Sequence, residues 1–134
     1  MCGISGFIRF YKDLSKDDLL KYGNKMSNTL FNRGPDSSGI WVDESSGLSL
    51  SHRRLSIIDL SFSGNQPMIS SNNMYVLVFN GEIYNYLEIK KELIRRNVTF
   101  RTNSDTEVIL ESIAFWGIKN TLKNLNGMFS FTLF

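Results

Sequence analysis

The sequence predicts an α+β sandwich rather than a parallel βαβ array. Short apolar runs of strand length bracket helix patterns instead of alternating with them one for one. Helix-start signals occur at Ser15 with Asp18, Asn85 with Glu88, and Ser104 with Glu107. The chain has 134 residues, 42% of them apolar and 13% aromatic, enough for one domain, 1–134, with a real core.

Taken in order, Gly3 to Phe10 reads as a strand carrying Ile4 and Ile8. Ser15 and Asp18 open a helix whose Leu19, Tyr22, Met26 and Leu30 share one face. Asn32-Arg33-Gly34-Pro35-Asp36 ends it, because Pro35 disfavours helix and Gly34 frees the turn. Ile40 to Val42 and Leu48 to Ser51 read as strands around a Glu44-Ser45-Ser46-Gly47 turn. Leu55 to Leu60 is another apolar run, and Ser61 to Gln66 is loop-like. Met74 to Phe79 reads as a buried strand ending at Asn80-Gly81, a pair that in isolation is a β-turn signal. A second helix runs from the Asn85/Glu88 cap to about Arg96, and Val98 to Arg101 reads as a short strand. The Ser104/Glu107 box opens a third helix bearing Val108, Ile109, Ile113 and Trp116, stopped by Gly117. Gly127 to Phe134 is a final, very apolar strand. Nothing follows it to cover its edge, which points to a domain cut or incomplete at its C-terminal end; the other reading is a strand paired centrally at a true chain end.

Composition narrows the function classes. Fifteen Lys+Arg against thirteen Asp+Glu leave a net charge of +2, so neither a nucleic acid nor a membrane surface is implied as a partner. The single Cys excludes an intramolecular disulfide, and one Cys with one His argues against a protein-built zinc site. No apolar run approaches the roughly 18 residues of a membrane span. The N-terminus lacks the basic start of a signal peptide, so a cytoplasmic protein is expected.

The chemistry starts at Met1-Cys2-Gly3. Removal of the initiator Met leaves Cys2 with a thiol and a free α-amine on one residue. An α-amine titrates near 8, so a useful fraction is neutral at physiological pH and can act as a base. A nucleophile activated by its own amine needs no neighbouring His. A rival reading pairs Cys2 with His52 as a dyad, an arrangement that tolerates an N-terminal extension where the terminal-amine arrangement does not; the preferred reading of His52 is structural, at a strand end. Taken alone, an early Cys is most often an inert apolar residue.

Further motifs accompany Cys2-Gly3-Ile4-Ser5-Gly6, in order. They are Arg33-Gly34-Pro35-Asp36-Ser37-Ser38-Gly39, His52-Arg53-Arg54-Leu55-Ser56-Ile57-Ile58-Asp59, Asn80-Gly81-Glu82-Ile83-Tyr84-Asn85, Ser104-Asp105-Thr106-Glu107 and Leu125-Asn126-Gly127-Met128-Phe129-Ser130-Phe131. Together they resemble the glutaminase domain of class II glutamine amidotransferases, of the glutamine-hydrolysing asparagine synthetase kind. The resemblance runs along essentially the whole chain. The stretches around Arg54 and after Asn80-Gly81 are similar to the asparagine synthetase type, a group that also holds amidotransferases of cell-surface sugar and antibiotic pathways.

The resemblance implies an N-terminal-nucleophile hydrolase fold, a four-layer αββα sandwich of two antiparallel sheets, incomplete here. It implies glutamine hydrolysis to glutamate and ammonia through a Cys2 glutamyl thioester, with the ammonia feeding amide synthesis. Asn80 and the Gly81 backbone N–H are the implied oxyanion donors. Arg54 is the implied clamp on the glutamine α-carboxylate and Asp105 the partner of its α-ammonium, with Leu55, Ser56, Ile57, Ile58 and Glu82 completing the glutamine site. No cofactor is expected in this chain; ATP and Mg²⁺ belong to an implied synthetase domain or chain, which is the expected partner, and a homodimer is compatible with the reading. The alternative is a non-catalytic fragment of such a domain that acts only by association.

Overall fold

The computed structural model describes residues 2–11, 13–56 and 61–134. Its strands are β1 (Gly3–Ile8), β2 (Ser37–Asp43), β3 (Leu48–Arg54), β4 (Met68–Ile69), β5 (Val76–Ile83) and β6 (Gly127–Leu133). Its helices are α1 (Lys16–Thr29), α2 (Tyr86–Arg95), α3 (Asp105–Trp116) and α4 (Ile118–Asn124). The strands form two antiparallel three-stranded sheets, ordered β1-β3-β2 and β4-β5-β6. Helix α1 packs on the first sheet and α3 on the second, while β1 and β3 contact β5 across the middle. The layers therefore run helix, sheet, sheet, helix, the expected α+β sandwich.

The main core lies between the second sheet and its helices. Leu77, Phe79 and Ile83 of β5 meet Ile89 and Leu93 of α2 and Val108, Ile109, Leu110 and Ile113 of α3. A smaller apolar layer, Leu48, Leu50, Val76 and Val78, joins the two sheets. Residues of β5 alternate between these layers, as the period of a strand requires. The odd positions face the helices, and the even positions Val76 and Val78 face the first sheet.

Several local expectations change in the folded chain. The Ser15/Asp18 capping box forms in full, but the buried stripe of α1 is Leu19, Gly23 and Ser27. Tyr22 and Met26 stay largely exposed. The helix sits so close that a Cβ on Gly23 would collide with Ser49 Oγ and Ile40 Cδ1. The large side chains are thereby turned to the flanks, where Tyr22 meets Phe7 edge-on at 6.5 Å. Asn85 does not cap α2 with its side chain. Its carboxamide instead accepts from Asn126 N–H and donates to Asn124 O, tying α2 to the approach of β6. Residues 98–101 form no strand, because Arg101 N–H is taken by the buried carboxylate of Glu107. Ile57 to Leu60 of the Leu55 to Leu60 run lie outside the described residues.

Asn80-Gly81 is not a turn. Strand β5 continues through it to Ile83, with Asn80 opposite Ser130 and Gly81 opposite Phe129 of β6. β6 pairs with β5 along its length and forms one margin of its sheet among the described residues.

Candidate active site

A cavity of about 330 Å³ opens where the ends of the two sheets meet the start of α3. Cys2, Arg54 and Leu55 line it from the first sheet. Asn80, Gly81 and Glu82 come from β5, Ser104, Asp105 and Thr106 from the start of α3, and Gly64 and Gln66 from the intervening loop. Cys2, Arg54, Leu55, Asn80, Gly81, Glu82 and Asp105 of the sequence-derived site thus converge on one space. Ser56 is not in the wall; its N–H donates to Asp36 Oδ2 at 2.7 Å. Ile57 and Ile58 lie outside the described residues.

Cys2 immediately precedes β1. Its Sγ accepts from Leu55 N–H at 3.4 Å and lies 3.6 Å from Leu55 O. Its carbonyl accepts from Arg33 Nε at 3.2 Å. The thiol is half-buried at the cavity wall and in no disulfide. The Arg33 to Asp36 segment therefore braces both sides of the thiol: Arg33 holds Cys2, and Asp36 holds the segment after Arg54.

Arg54 ends β3 and is nearly buried, at 7% exposure. Its Nη1 donates to Ser61 O at 2.7 Å and to Asn65 Oδ1 at 3.0 Å. A side chain on Gly64 would collide with its guanidinium, so Gly64 is the space into which the guanidinium folds. Arg53, by contrast, points away, donating to Ser27 O and Asn28 Oδ1. Of the two adjacent arginines, Arg54 faces the cavity.

Asp105, in the first turn of α3, is 5% exposed, and its Oδ2 accepts from Ile83 N–H at 3.0 Å. Burial pushes its pKa up, opposed by the backbone N–H bonds, with nearby Glu82 adding to the rise. A cation entering the cavity would stabilise the charged form. Glu107, three residues from the cap Ser104, does not complete a capping box; its carboxylate accepts from Arg101 and Thr102 N–H and from Thr102 Oγ1. It shapes the loop that presents Asp105.

His52 is not in the cavity wall. It is 1% exposed, and its Nε2 lies 3.1 Å from Phe79 O. A carbonyl only accepts, so the neutral ring carries its proton on Nε2. Nδ1 has no partner among the described residues. Burial lowers the His52 pKa to about 4; the Phe79 bond opposes this and the Arg54 charge adds to it. Between about 4 and 6.5 the unfolded chain binds a proton that the fold refuses, so stability is full above 6.5 and falls as pH drops through that window. His52→Gln is expected to flatten the loss between pH 7 and pH 4.5 by on the order of 3 kcal/mol in urea unfolding. Parallel profiles for the two proteins would show that His52 is not the group responsible.

The layer order is shared with an amidotransferase of known structure. A glutamine phosphoribosylpyrophosphate amidotransferase from Bacillus subtilis superposes with a TM-score of 0.72 over 99% of this chain and 34% of that one, at 23% identity. The chain belongs to the glutamine amidotransferase domain family, whose match spans residues 1–134. Asparagine synthetases (glutamine-hydrolyzing) 3 and 1 of Bacillus subtilis are 36% and 39% identical over 99% of the chain. The amidase chry2 of Gibberella zeae is 36% identical over 99% of it. The chain spans about a fifth of the length of these curated relatives, at 21%, 20% and 21%.

Proposed function

We propose that this domain hydrolyses glutamine to glutamate and ammonia, with Cys2 as nucleophile after removal of Met1. The observation that carries the reading is the convergence on one cavity of a thiol, a strand-borne Asn-Gly pair, a buried arginine and a buried aspartate. Arg54 binds the α-carboxylate and Asp105 the α-ammonium, which sets the side-chain carboxamide toward Cys2. The free α-amine takes the thiol proton as sulfur attacks the carboxamide carbon. Asn80 Nδ2 and Gly81 N–H stabilise the oxyanion. The proton passes to the leaving nitrogen, ammonia departs, and water hydrolyses the glutamyl thioester, so that glutamine and water become glutamate and ammonia.

The greater length of the relatives leaves room for a region that activates a carboxylate with ATP and Mg²⁺ and receives the ammonia, as in an asparagine synthetase. That region, or a separate synthetase chain, is the partner in this reading. No helix of the described residues is long and apolar enough to cross a membrane. The test is glutamate and ammonia release from L-glutamine by the full chain with Cys2 exposed, against Cys2→Ala. Equal release, sensitive to Cys2→Ala, is expected; release that survives Cys2→Ala, or none at all, sinks the reading.

Arg54 has a distinct kinetic signature. A carboxylate clamp acts on ground and transition states alike, so Arg54→Lys is expected to raise KM for glutamine about tenfold or more while kcat stays within about threefold. A loss confined to kcat would place Arg54 elsewhere in the reaction.

A further inference from the structure

The edge of β5 that faces away from β6 changes partner along its length. Val76 N–H donates to Phe134 O, and Tyr84 N–H donates to Asn126 O, so even-numbered residues of this stretch hydrogen-bond toward β6. Antiparallel alternation then turns the N–H groups of Phe79, Gly81 and Ile83 to the opposite edge. β4 covers only the start of that edge, through Met68 opposite Leu77 and Ile69 opposite Val76. Extending the register by two residues would set Gln66 opposite Phe79. The Gln66 backbone does not take that place, because its carbonyl lies against β2, where a Cβ on Gly39 would collide with it.

The Gln66 side chain fills the rung instead. Its Oε1 accepts Phe79 N–H at 2.6 Å, and its Nε2 donates to Thr106 Oγ1 at 3.2 Å. The amide orientation follows from chemistry, since a backbone N–H can only donate. Gln66 is 6% exposed and Thr106 4%. At the far end, Ile83 N–H is held by Asp105 Oδ2. The Gly81 N–H sits between these two side-chain rungs, on the edge that faces the cavity.

We propose that Gln66 is a positioning residue for the oxyanion donor. Its carboxamide pins β5 at Phe79 to the first turn of α3 at Thr106, and this fixes where the Gly81 N–H points. The inference rests on the glutaminase reading above. The clamp joins the strand that bears Asn80 and Gly81 to the helix turn that bears Asp105. It therefore sets the distance between the groups for the two ends of one substrate.

Gln66→Met keeps the length of the side chain and removes both hydrogen bonds. In the full chain it is expected to lower kcat for glutamine hydrolysis about tenfold or more, with KM within about threefold, because oxyanion alignment is expressed in the transition state. Stoichiometric alkylation of Cys2 is expected to be retained. Thr106→Val removes the other end of the clamp and is expected to lower kcat about three- to tenfold, while Thr106→Ser, which keeps the hydroxyl, recovers most of that loss. This pair decides the matter if Gln66→Met does not fold. A folded Gln66→Met with kcat within about twofold of wild type, a rise in KM alone, or equal losses in Thr106→Val and Thr106→Ser would each overturn the proposal. A wild-type chain that fails to hydrolyse glutamine overturns the glutaminase reading itself, an outcome distinct from a variant that merely matches an active wild type.

Discussion

Retention of Met1 is expected to lower glutamine turnover at least about 10²-fold, the usual minimum for losing a positioned general base. The argument runs from the position of the thiol. The Cys2 Sγ is beside Leu55, at the end of the first sheet, and no imidazole lines its cavity. The chain's one histidine is committed through Nε2 to Phe79 O and is disfavoured as a cation by burial. The α-amine of Cys2 is then the base at hand, and acylating it, by Met1 or by acetylation, turns a basic nitrogen into an amide. The measurement compares processed and Met1-retained chains, each verified by intact mass, together with His52→Ala. Turnover in a confirmed Met1-retained chain would exclude the terminal amine as base. Abolition by a folded His52→Ala, with the Met1-retained form active, would restore the Cys–His dyad.

Asn80→Ala should cost about 10²–10³ in kcat, the scale for removing one oxyanion donor. Asn80 follows Val76 and Val78 on the face of β5 that looks toward the first sheet, and it lines the same cavity as Cys2. Its fixed position comes from the strand: the backbone is laddered to β6, with Ser130 opposite. A donor held by a central strand needs no reorganisation as charge develops, which is the condition for a large effect. Gly81 cannot readily be probed in the same way. A Cβ there would meet Phe129 Cα at 2.6 Å and collide with Met128 O, so Gly81→Ala would disturb β6 as well as the donor. Steady-state kinetics on Asn80→Ala settle the point. A fall below about threefold would return Asn80 to a purely structural place in β5.

Much of this was legible in the sequence. The Ser15/Asp18 cap, the hairpin around residues 44–47, the Gly117 stop and the apolar β6 are local signals, carried by residues within a few positions of one another, and each appears as expected. The ordered motifs also named the groups that meet at the cavity. Local signals failed where a distant partner competed for the same atoms. Asn80-Gly81 reads as a turn until β6 pairs across it. Asn85 reads as a cap until residues 124–126 take its carboxamide. Residues 98–101 read as a strand until Glu107 claims the Arg101 N–H.

Gln66 gave no sequence signal, being one polar residue in a stretch read as loop. Its role depends on a backbone pressed against Gly39, a β4 that pairs for only two residues, and a helix turn 40 positions away. The sequence by itself determined the layers, the family and the residue types of the site. Only the tertiary structure decided that Arg53 is spent on Ser27 O of α1, that His52 is held by Phe79 O, and which N–H groups of β5 are already taken. Periodicity and motifs report what a residue can do, whereas hydrogen-bond partners are allotted among atoms far apart in the chain, and that allotment exists only once the sheets and α3 have packed.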